Sequence, residues 1–236
     1  MNIALIIAGG VGNRLGAGKP KQFVEVFGKP VIVYTLQAFQ EHPMIDAIEL
    51  VCVDGYQHYL MQLTKDNGID KVIKIVTGGS EYELSIMNGV AGLDGIAQPD
   101  DIVMVHWSAS PFVSEEIITD SIRVCKEKGN AISASYSYLL YGTNDGDCAK
   151  QSINRETFMT LSAPQSFLYK VIKDVYKQVE LKNMLDYVEH HTTALMTALG
   201  IPLYFSKGSN TNIKITTKED LELFRGYLLN KRYPED

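Results

Sequence analysis

A glycine-rich segment near the N-terminus combines two kinds of group that bind polyphosphates. Its glycines leave main-chain N–H groups unshielded, and three cations lie within a span of eight residues. These residues are Gly9, Gly10, Gly12, Arg14, Lys19 and Lys21. Backbone N–H groups bind non-bridging phosphate oxygens, and fixed positive charge balances the charge of the anion. The segment therefore predicts a loop that binds a polyphosphate.

Two commoner glycine loops fit this segment less well. A Walker A loop has four residues between its first glycine and Gly-Lys-Ser/Thr, but five follow Gly12 here, and Pro20 stands in place of Ser or Thr. A dinucleotide fingerprint would need a glycine at Leu15. A plain surface turn with exposed cations does not explain a proline between two lysines.

Residues 8–15, AGGVGNRL, and 19–23, KPKQF, resemble the signature loop of nucleotidyltransferases that make sugar nucleotides. The Pro-Lys-Gln run narrows the resemblance to cytidylyltransferases acting on methylerythritol phosphate or ribitol phosphate. The resemblance implies that Arg14 and Lys21 bind the phosphates of CTP and stabilise the transition state. It also implies that the nucleotide lies against Ala8, Gly9, Gly10 and Gly12.

A second glycine-containing segment, residues 78–89, follows a predicted strand. Open parallel sheets bind ligands beyond the carboxyl ends of their strands, so we expect this segment beside the first loop. Ser80 and Glu83 have the spacing of a capping box for the next helix. Tyr82 stands where the resembled family usually carries an arginine. The residues that match the family's cytosine and ribose contacts are Gly79, Ser85 and Asn88.

The segment expected to face the acceptor departs from the family pattern. Residues 105–112, VHWSASPF, align with Val-His-Asp-Ala-Ala/Val-Arg-Pro, so Trp107 replaces the aspartate and Ser110 replaces the arginine. Without that carboxylate we expect Mg²⁺ to be carried mainly by the CTP phosphates, with no metal ligand from the protein. The acceptor pocket must differ, and methylerythritol phosphate is not the expected acceptor.

Two other cations match positions that hold the acceptor phosphate in the resembled family. Arg155 lies nine residues before Pro164, and Lys214 lies in the segment 212–217, NIKITT. The pair His190 and His191 replaces an acidic family segment. Adjacent residues on a helix diverge by about 100°, so we interpret these histidines as surface residues and not as metal ligands.

Three functions are compatible with these patterns. The first is an active cytidylyltransferase that transfers CMP from CTP to a polyol (alditol) phosphate. The second is a catalytically impaired homologue that binds the nucleotide only, because several polar family residues are replaced. The third, a nicotinamide enzyme, is disfavoured because its glycine fingerprint is out of register.

Composition limits the class of protein. The chain has 236 residues and a formal net charge of −6, which argues against nonspecific binding of nucleic acid. No apolar run approaches the about 20 residues of a membrane span, so we expect a cytoplasmic protein without a membrane anchor. Three widely spaced cysteines, Cys52, Cys125 and Cys148, are interpreted as reduced thiols.

The remaining pattern alternates strands and helices, which predicts an α/β fold of three layers: a mainly parallel, Rossmann-like sheet with helices on both faces. We expect residues 1–236 to form a single nucleotidyltransferase domain. The expected strands are residues 3–7, 45–53, 72–76, 102–106, 131–136 and 203–205. The expected helices are residues 31–42, 57–65, 81–93, 115–128, 166–178, 188–199 and 217–229, the last beginning with a capping box.

Residues 138–159 interrupt this alternation. The run Asn144-Asp145-Gly146-Asp147 is a strong turn signal, and its flanks predict a β-hairpin that projects from the body. In the resembled family an equivalent arm embraces the second subunit, which implies a homodimer. A solvent-exposed hairpin without a partner is the alternative.

Overall fold

The computed structural model describes residues 1–10 and 18–232 and places a seven-stranded sheet at the centre of the molecule. The strands, including two short pairs outside that sheet, are β1 (Asn2–Ala8), β2 (Glu25–Val26), β3 (Lys29–Pro30), β4 (Ala47–Cys52), β5 (Val72–Thr77), β6 (Ile102–Trp107), β7 (Asn130–Ser135), β8 (Tyr141–Gly142), β9 (Ser152–Ile153), β10 (Thr160–Leu168) and β11 (Phe205–Lys207). The central order is β11-β7-β10-β6-β1-β4-β5. Within this sheet β10 is antiparallel to both neighbours and the other pairs are parallel. The predicted mainly parallel sheet is confirmed.

Helices cover both faces of the sheet. They are α1 (Val31–Glu41), α2 (Gln57–Asp66), α3 (Tyr82–Gly92), α4 (Glu115–Lys128), α5 (Tyr169–Leu181), α6 (Thr192–Ala198) and α7 (Lys218–Arg232). Alternate side chains of β1 enter different cores, Ile6 against α1, α2 and α4, and Leu5 against α3, α5 and α6. A continuous apolar strand is required for this double burial. No described helix is both long and apolar enough to cross a membrane.

The last helix begins as its sequence predicts. The Thr217 hydroxyl accepts the N–H of Asp220 at 3.3 Å, and the Asp220 carboxylate accepts the N–H of Thr217 at 2.8 Å. This reciprocal pair is a capping box. It fixes the point where the chain turns from the extended segment containing Lys214 into α7.

The second predicted capping box is wrong. Glu81 is the residue that precedes α3, and no side chain caps the helix there. The Glu83 carboxylate is fully buried and accepts the Tyr176 hydroxyl at 2.6 Å. Ser80 lies at the pocket described below. Tertiary contact with α5 therefore overrides the local capping pattern at Glu83.

Three predicted boundaries are also wrong. Residues 166–168 belong to β10 and not to the next helix, which begins at Tyr169. Hydrogen bonding to β6 on one side and β7 on the other keeps these residues extended. The helix expected over 188–199 is restricted to α6, and the expected strand 203–205 lies two residues later, as β11.

The predicted hairpin at residues 138–159 contains one short antiparallel pair, β8 with β9, in which Tyr141 pairs with Ile153. Its base carries exposed apolar side chains, including Leu139 and Leu140, the second of which is 87% exposed. This arm is outside the central sheet. Its role in dimerisation stays a prediction.

One buried carboxyl group, that of Glu49, lacks a hydrogen bond from any described residue. Glu49 of β4 is fully buried, and neither carboxylate oxygen has a hydrogen-bond partner among the described residues. Gly92 in α3 leaves the space for it, because a Cβ there would overlap the carboxylate. Burial raises the pKa of Glu49 to about 8, against a smaller opposing effect of the Lys74 charge.

This raised pKa makes the folded state more stable at low pH than at high pH. Between about 4.5 and 8 the folded protein keeps a proton on Glu49 that the unfolded chain releases, so stability falls as pH rises through that window. The loss reaches up to about 5 kcal/mol. We expect Glu49→Gln to remove this decline. Urea denaturation of both proteins at pH 5 and pH 8.5 measures the difference, and identical pH slopes would contradict the prediction.

Candidate functional site

A pocket of about 740 Å³ opens at the carboxyl ends of β1, β4 and β5. We call it the first pocket. Its lining residues are Ile7, Gly9, Gly10, Lys21, Val53, Asp54, Gly78, Gly79, Ser80, Glu81, Tyr82, Ser85, His191, Lys214 and Thr216. The parallel order of these strands brings their C-terminal loops to one edge of the sheet, as expected for an α/β fold. Both predicted glycine segments therefore meet in one place.

A buried glutamine holds the first glycine segment. The Gln22 side-chain amide donates to the carbonyl oxygens of Ala8 at 2.8 Å and Gly10 at 3.0 Å. Gly9 and Gly10 line the first pocket, as predicted, whereas Ala8 is buried beneath it. Ala8 thus holds the loop through its carbonyl group. It is not among the residues that line the first pocket, so the structure does not support its predicted contact with the nucleotide.

The second glycine segment is held by Ser85. Its hydroxyl accepts the N–H of Gly79 at 3.1 Å and lies 3.0 Å from the carbonyl oxygen of Glu81. A Cβ on Gly9 would come within 2.9 Å of this hydroxyl, so the two glycine segments approach closely. Gly79 and Ser85 line the pocket. Asn88 does not; its side chain donates to the Thr77 carbonyl oxygen at 3.1 Å.

Two predicted cations meet at the first pocket from opposite ends of the chain. Lys21 donates from Nζ to the carbonyl oxygen of Ile215 at 2.7 Å, across 194 residues of sequence. Ile215 is fully buried, and its N–H donates to the Ala109 carbonyl oxygen at 2.8 Å. This anchoring fixes the direction of the adjacent Lys214. Two lysines therefore line the first pocket.

Of the other predicted site residues, Gly12 and Arg14 lie outside the described residues, so their predicted roles stay predictions. Arg155 is exposed, at the return of the arm, where its guanidinium donates to the Tyr138 carbonyl oxygen at 2.8 Å. Within one chain, therefore, Arg155 does not line the first pocket.

A second pocket of about 470 Å³ lies beside the first. Its lining is rich in hydroxyl and amide side chains and consists of Trp107, Ser135, Ser137, Tyr138, Leu139, Tyr141, Thr160, Leu161, Ser162, Ser209, Asn210, Asn212, Ile213 and Lys214. Lys214 lines both pockets. Arg155 is one contact away, through Tyr138. An anion held by Lys214 would therefore sit where the two pockets join.

Trp107 and Tyr82 lie against Lys214 at this junction. The indole Nε1 donates to the Tyr82 hydroxyl at 2.7 Å. The Lys214 ammonium is 4.8 Å from the centre of the indole and 5.4 Å from the centre of the phenol ring. Two of the positions at which the sequence departs from the family pattern, Tyr82 and Trp107, are thus hydrogen-bonded to each other.

Another replaced position, Ser110, lines neither of these two pockets. Ser110 is buried, and its hydroxyl has no hydrogen-bond partner among the described residues. Its carbonyl oxygen accepts a hydrogen bond from His106 Nε2 at 3.0 Å. Burial lowers the pKa of His106 to about 4, so the ring is neutral near pH 7. Ser110 therefore supports the backbone and does not face an acceptor.

Several residues of the first pocket are not among those predicted from the sequence. Asp54 lies shortly after β4, and Thr216 directly follows the buried Ile215. A polar residue at the end of a buried segment is the sequence feature that could have identified both. His191, interpreted as a surface residue, is exposed but also lines this pocket, with its ring tilted against Tyr82 at 5.8 Å. Among the described residues no group of three His, Cys, Asp or Glu side chains could hold a metal.

A buried network supports this side of the first pocket. Glu83 accepts the hydroxyls of Tyr176 at 2.6 Å and Thr192 at 3.0 Å, which joins α3 to α5 and α6. Burial raises the pKa of Glu83, while the two hydroxyl donors act in the opposite direction. The network fixes the residues next to Glu83 and Thr192, namely Tyr82 and His191.

Comparison with known proteins finds similarity along the chain. The family model described as IspD, 2-C-methyl-D-erythritol 4-phosphate cytidylyltransferase, matches residues 2–230. A ribitol-5-phosphate cytidylyltransferase of Lacticaseibacillus paracasei is 39% identical over 232 residues, which cover 98% of this chain and 99% of that protein. A 2-C-methyl-D-erythritol 4-phosphate cytidylyltransferase of Clostridium tetani is 35% identical, over 93% of this chain and 87% of that protein.

Similarity extends to solved structures. The crystal structure of 4-diphosphocytidyl-2C-methyl-D-erythritol synthase from Anaerococcus prevotii has 25% sequence identity and a TM-score of 0.78. The alignment covers 97% of this chain and 98% of that chain. The sheet and its flanking helices therefore have counterparts in that crystal structure.

The packing at Gly79 yields a stability prediction with a matched control. A Cβ on Gly79 would overlap the Leu84 side chain and come within 3.0 Å of the Leu84 carbonyl carbon, whereas a Cβ on Gly10 would meet nothing within 4 Å. We expect Gly79→Ala to lower the free energy of unfolding by about 1–3 kcal/mol. Gly10→Ala should change it by less than about 0.5 kcal/mol. Denaturation midpoints measure both, and equal midpoints would overturn the prediction.

Proposed function

Because the chain belongs to the IspD family of cytidylyltransferases, we propose that it transfers CMP from CTP to ribitol 5-phosphate, releasing CDP-ribitol and pyrophosphate. Nucleotidyl transfer to a polyol phosphate is the activity that the family and its ribitol-specific relatives share. The finer choice of ribitol 5-phosphate is supported by the 39% identity to a relative of that name across the whole chain.

The observation that carries the proposal is the position of Lys214 between two pockets. CTP, with its polyphosphate, is assigned to the first pocket, where two glycine segments expose backbone. The acceptor is assigned to the second pocket, whose hydroxyl and amide groups can exchange hydrogen bonds with a polyol. Its phosphate is assigned to Lys214, at the junction.

The reaction requires no nucleophile from the protein. A phosphate oxygen of the acceptor attacks the α-phosphorus of CTP, the bond from that phosphorus to the β-phosphate oxygen breaks, and pyrophosphate leaves with the electron pair. The attacking oxygen is already anionic, so catalysis consists of positioning and stabilisation of developing charge. We assign that stabilisation to Lys21, held by Ile215, and to Arg14.

Mg²⁺ is proposed to enter with CTP, as part of the substrate. The carboxylates that line the first pocket, Asp54 and Glu81, are too few for a protein-built site, and Mg²⁺ in nucleotide enzymes commonly keeps several waters and binds substrate phosphates. The ion would supply further positive charge on the phosphates. The same proposal places the enzyme in the cytoplasm, where CTP is made.

The acceptor assignment is tested by a panel of substrates. With CTP and Mg²⁺, we expect pyrophosphate release with ribitol 5-phosphate to exceed that with 2-C-methyl-D-erythritol 4-phosphate by at least about tenfold in kcat/KM, a difference that one or two polar contacts account for. Release at equal efficiency with both would contradict the choice of acceptor. No release with any polyol phosphate would favour the catalytically impaired alternative.

Two lysines of the first loop supply the control for this assay. Lys21 lines the first pocket, whereas Lys19 pairs with Glu25 at 3.7 Å and does not line it. Lys21→Ala should lower turnover about tenfold to a thousandfold, the range for removing one preorganised donor. Lys19→Ala should retain most of the activity. Equal losses of turnover in the two variants would show that turnover depends on the total charge of the loop and not on the position of Lys21.

We also propose a homodimer formed through the arm. Leu139, Leu140 and Ile153 are exposed on this arm, an unusual cluster for a surface without a partner. Exchange of arms would also give the exposed Arg155 access to the partner's second pocket, consistent with its expected role in holding the acceptor phosphate.

The dimer is tested by sedimentation. We expect the unaltered protein to sediment with twice the monomer mass and Leu140→Asp to sediment as a monomer, because a charge would be buried in the interface. Leu223→Asp, which changes an exposed leucine of α7, is the matched control and should remain dimeric. A monomeric unaltered protein at micromolar concentration would refute the proposal.

A further inference from the structure

The junction between the two pockets is built from three side chains on three separate elements. Trp107 ends β6, Tyr82 begins α3, and Lys214 lies in the extended segment before α7. The indole and phenol are joined by the 2.7 Å hydrogen bond, and the ammonium lies over both rings, 4.8 Å and 5.4 Å from their centres. We call this arrangement the aromatic cradle.

The two aromatic residues of the cradle are anchored by contacts elsewhere in the fold. Trp107 pairs with Ile7 in the central sheet. Tyr82 precedes Glu83, whose carboxylate is fixed by α5 and α6. Because these anchors do not involve Lys214, the backbone positions of Trp107 and Tyr82 are set by the fold and not by the lysine.

We propose that Tyr82 and Trp107 are positioning residues that hold the Lys214 ammonium where the pockets join, and thereby set the affinity for the phosphate of the acceptor. This inference rests on the proposed function, which assigns that phosphate to Lys214. It goes further by giving a role to Tyr82 and Trp107, two of the residues at which the sequence departs from the family pattern. Neither residue touches the reacting phosphorus in this assignment.

Aromatic rings differ from a carboxylate at this position because they carry no net charge. A ring face attracts an ammonium group, yet it carries no net charge, so it orients the cation without neutralising it. A carboxylate in the same place would pair with the ammonium and compete with the substrate's phosphate. Burial raises the pKa of Tyr82, so its hydroxyl stays protonated and neutral.

The chain contains a built-in reporter for this arrangement, because Trp107 is its single tryptophan. A phosphate that binds Lys214 changes the charge environment directly over the indole. We expect tryptophan emission to change saturably on titration with ribitol 5-phosphate, and Lys214→Met to abolish the change. An unchanged emission in the unaltered protein, under conditions where the acceptor is turned over, would overturn the cradle.

A double-mutant cycle distinguishes a positioning role of Tyr82 from a general effect of its substitution on the structure. Tyr82→Leu removes one ring and should raise the KM for ribitol 5-phosphate about threefold to thirtyfold, with a smaller change in kcat. In a Lys214→Met background the same substitution should have no further effect on KM, because the residue it positions is gone. Tyr82→Phe, which keeps the ring, should restore most of the affinity. All these variants retain Trp107, so emission and thermal unfolding verify that each is folded.

The possible outcomes distinguish this inference from the proposed function. If Lys214→Met raises KM but Tyr82→Leu raises it equally in both backgrounds, the cradle is wrong while the acceptor assignment stands. If Lys214→Met leaves KM for every polyol phosphate unchanged, the acceptor assignment fails and the cradle fails with it. If Tyr82→Leu is too unstable to measure, Tyr82→Met gives the same comparison, since it also replaces the ring by an uncharged aliphatic side chain.

Discussion

Burial of β1 on both faces is the constraint from which the site follows. Side chains of this strand fill two cores, and β4 and β6 hydrogen-bond to its two edges. Neither its register nor its direction can change without exposing apolar surface or losing backbone hydrogen bonds. Since the neighbouring strands run parallel to it, the loops that leave β1, β4, β5 and β6 meet at one edge. A site assembled from distant segments is thereby held in one place.

The segment around Ile215 completes the site from the far end of the chain. Its backbone is held on both sides, by Ala109 through the N–H group and by Lys21 through the carbonyl group. Asn212 adds a hydrogen bond to the Ala163 carbonyl oxygen at 2.6 Å. These contacts place Lys214 opposite the glycine segments. Two cations thus face one pocket although the protein as a whole carries a net charge of −6.

Buried polar groups around the site have different consequences for the fold. Glu83 accepts two hydroxyl groups and so connects three helices behind the first pocket. His106 stays neutral and holds the backbone at Ser110, which preserves the path of the chain after β6 although the local sequence departs from the family pattern. Glu49 has no such partner among the described residues, so its burial favours the protonated form.

The sequence alone determined the fold class and the alternation of strands and helices, because these depend on local apolar patterns. The glycines and the spacing of cations in the first loop predicted a polyphosphate site, which stays a prediction. The family resemblance of local motifs also pointed to Lys21, Gly79, Ser85 and Lys214, all of which line the first pocket. Only the tertiary structure decided which of these residues meet. In the structure Glu83 is a buried link between helices and not a helix cap, and residues 166–168 are extended. Ser110 is buried, and Tyr82 is hydrogen-bonded to Trp107. Each of these outcomes depends on a neighbour far away in sequence, and no local pattern encodes the distance between two such segments.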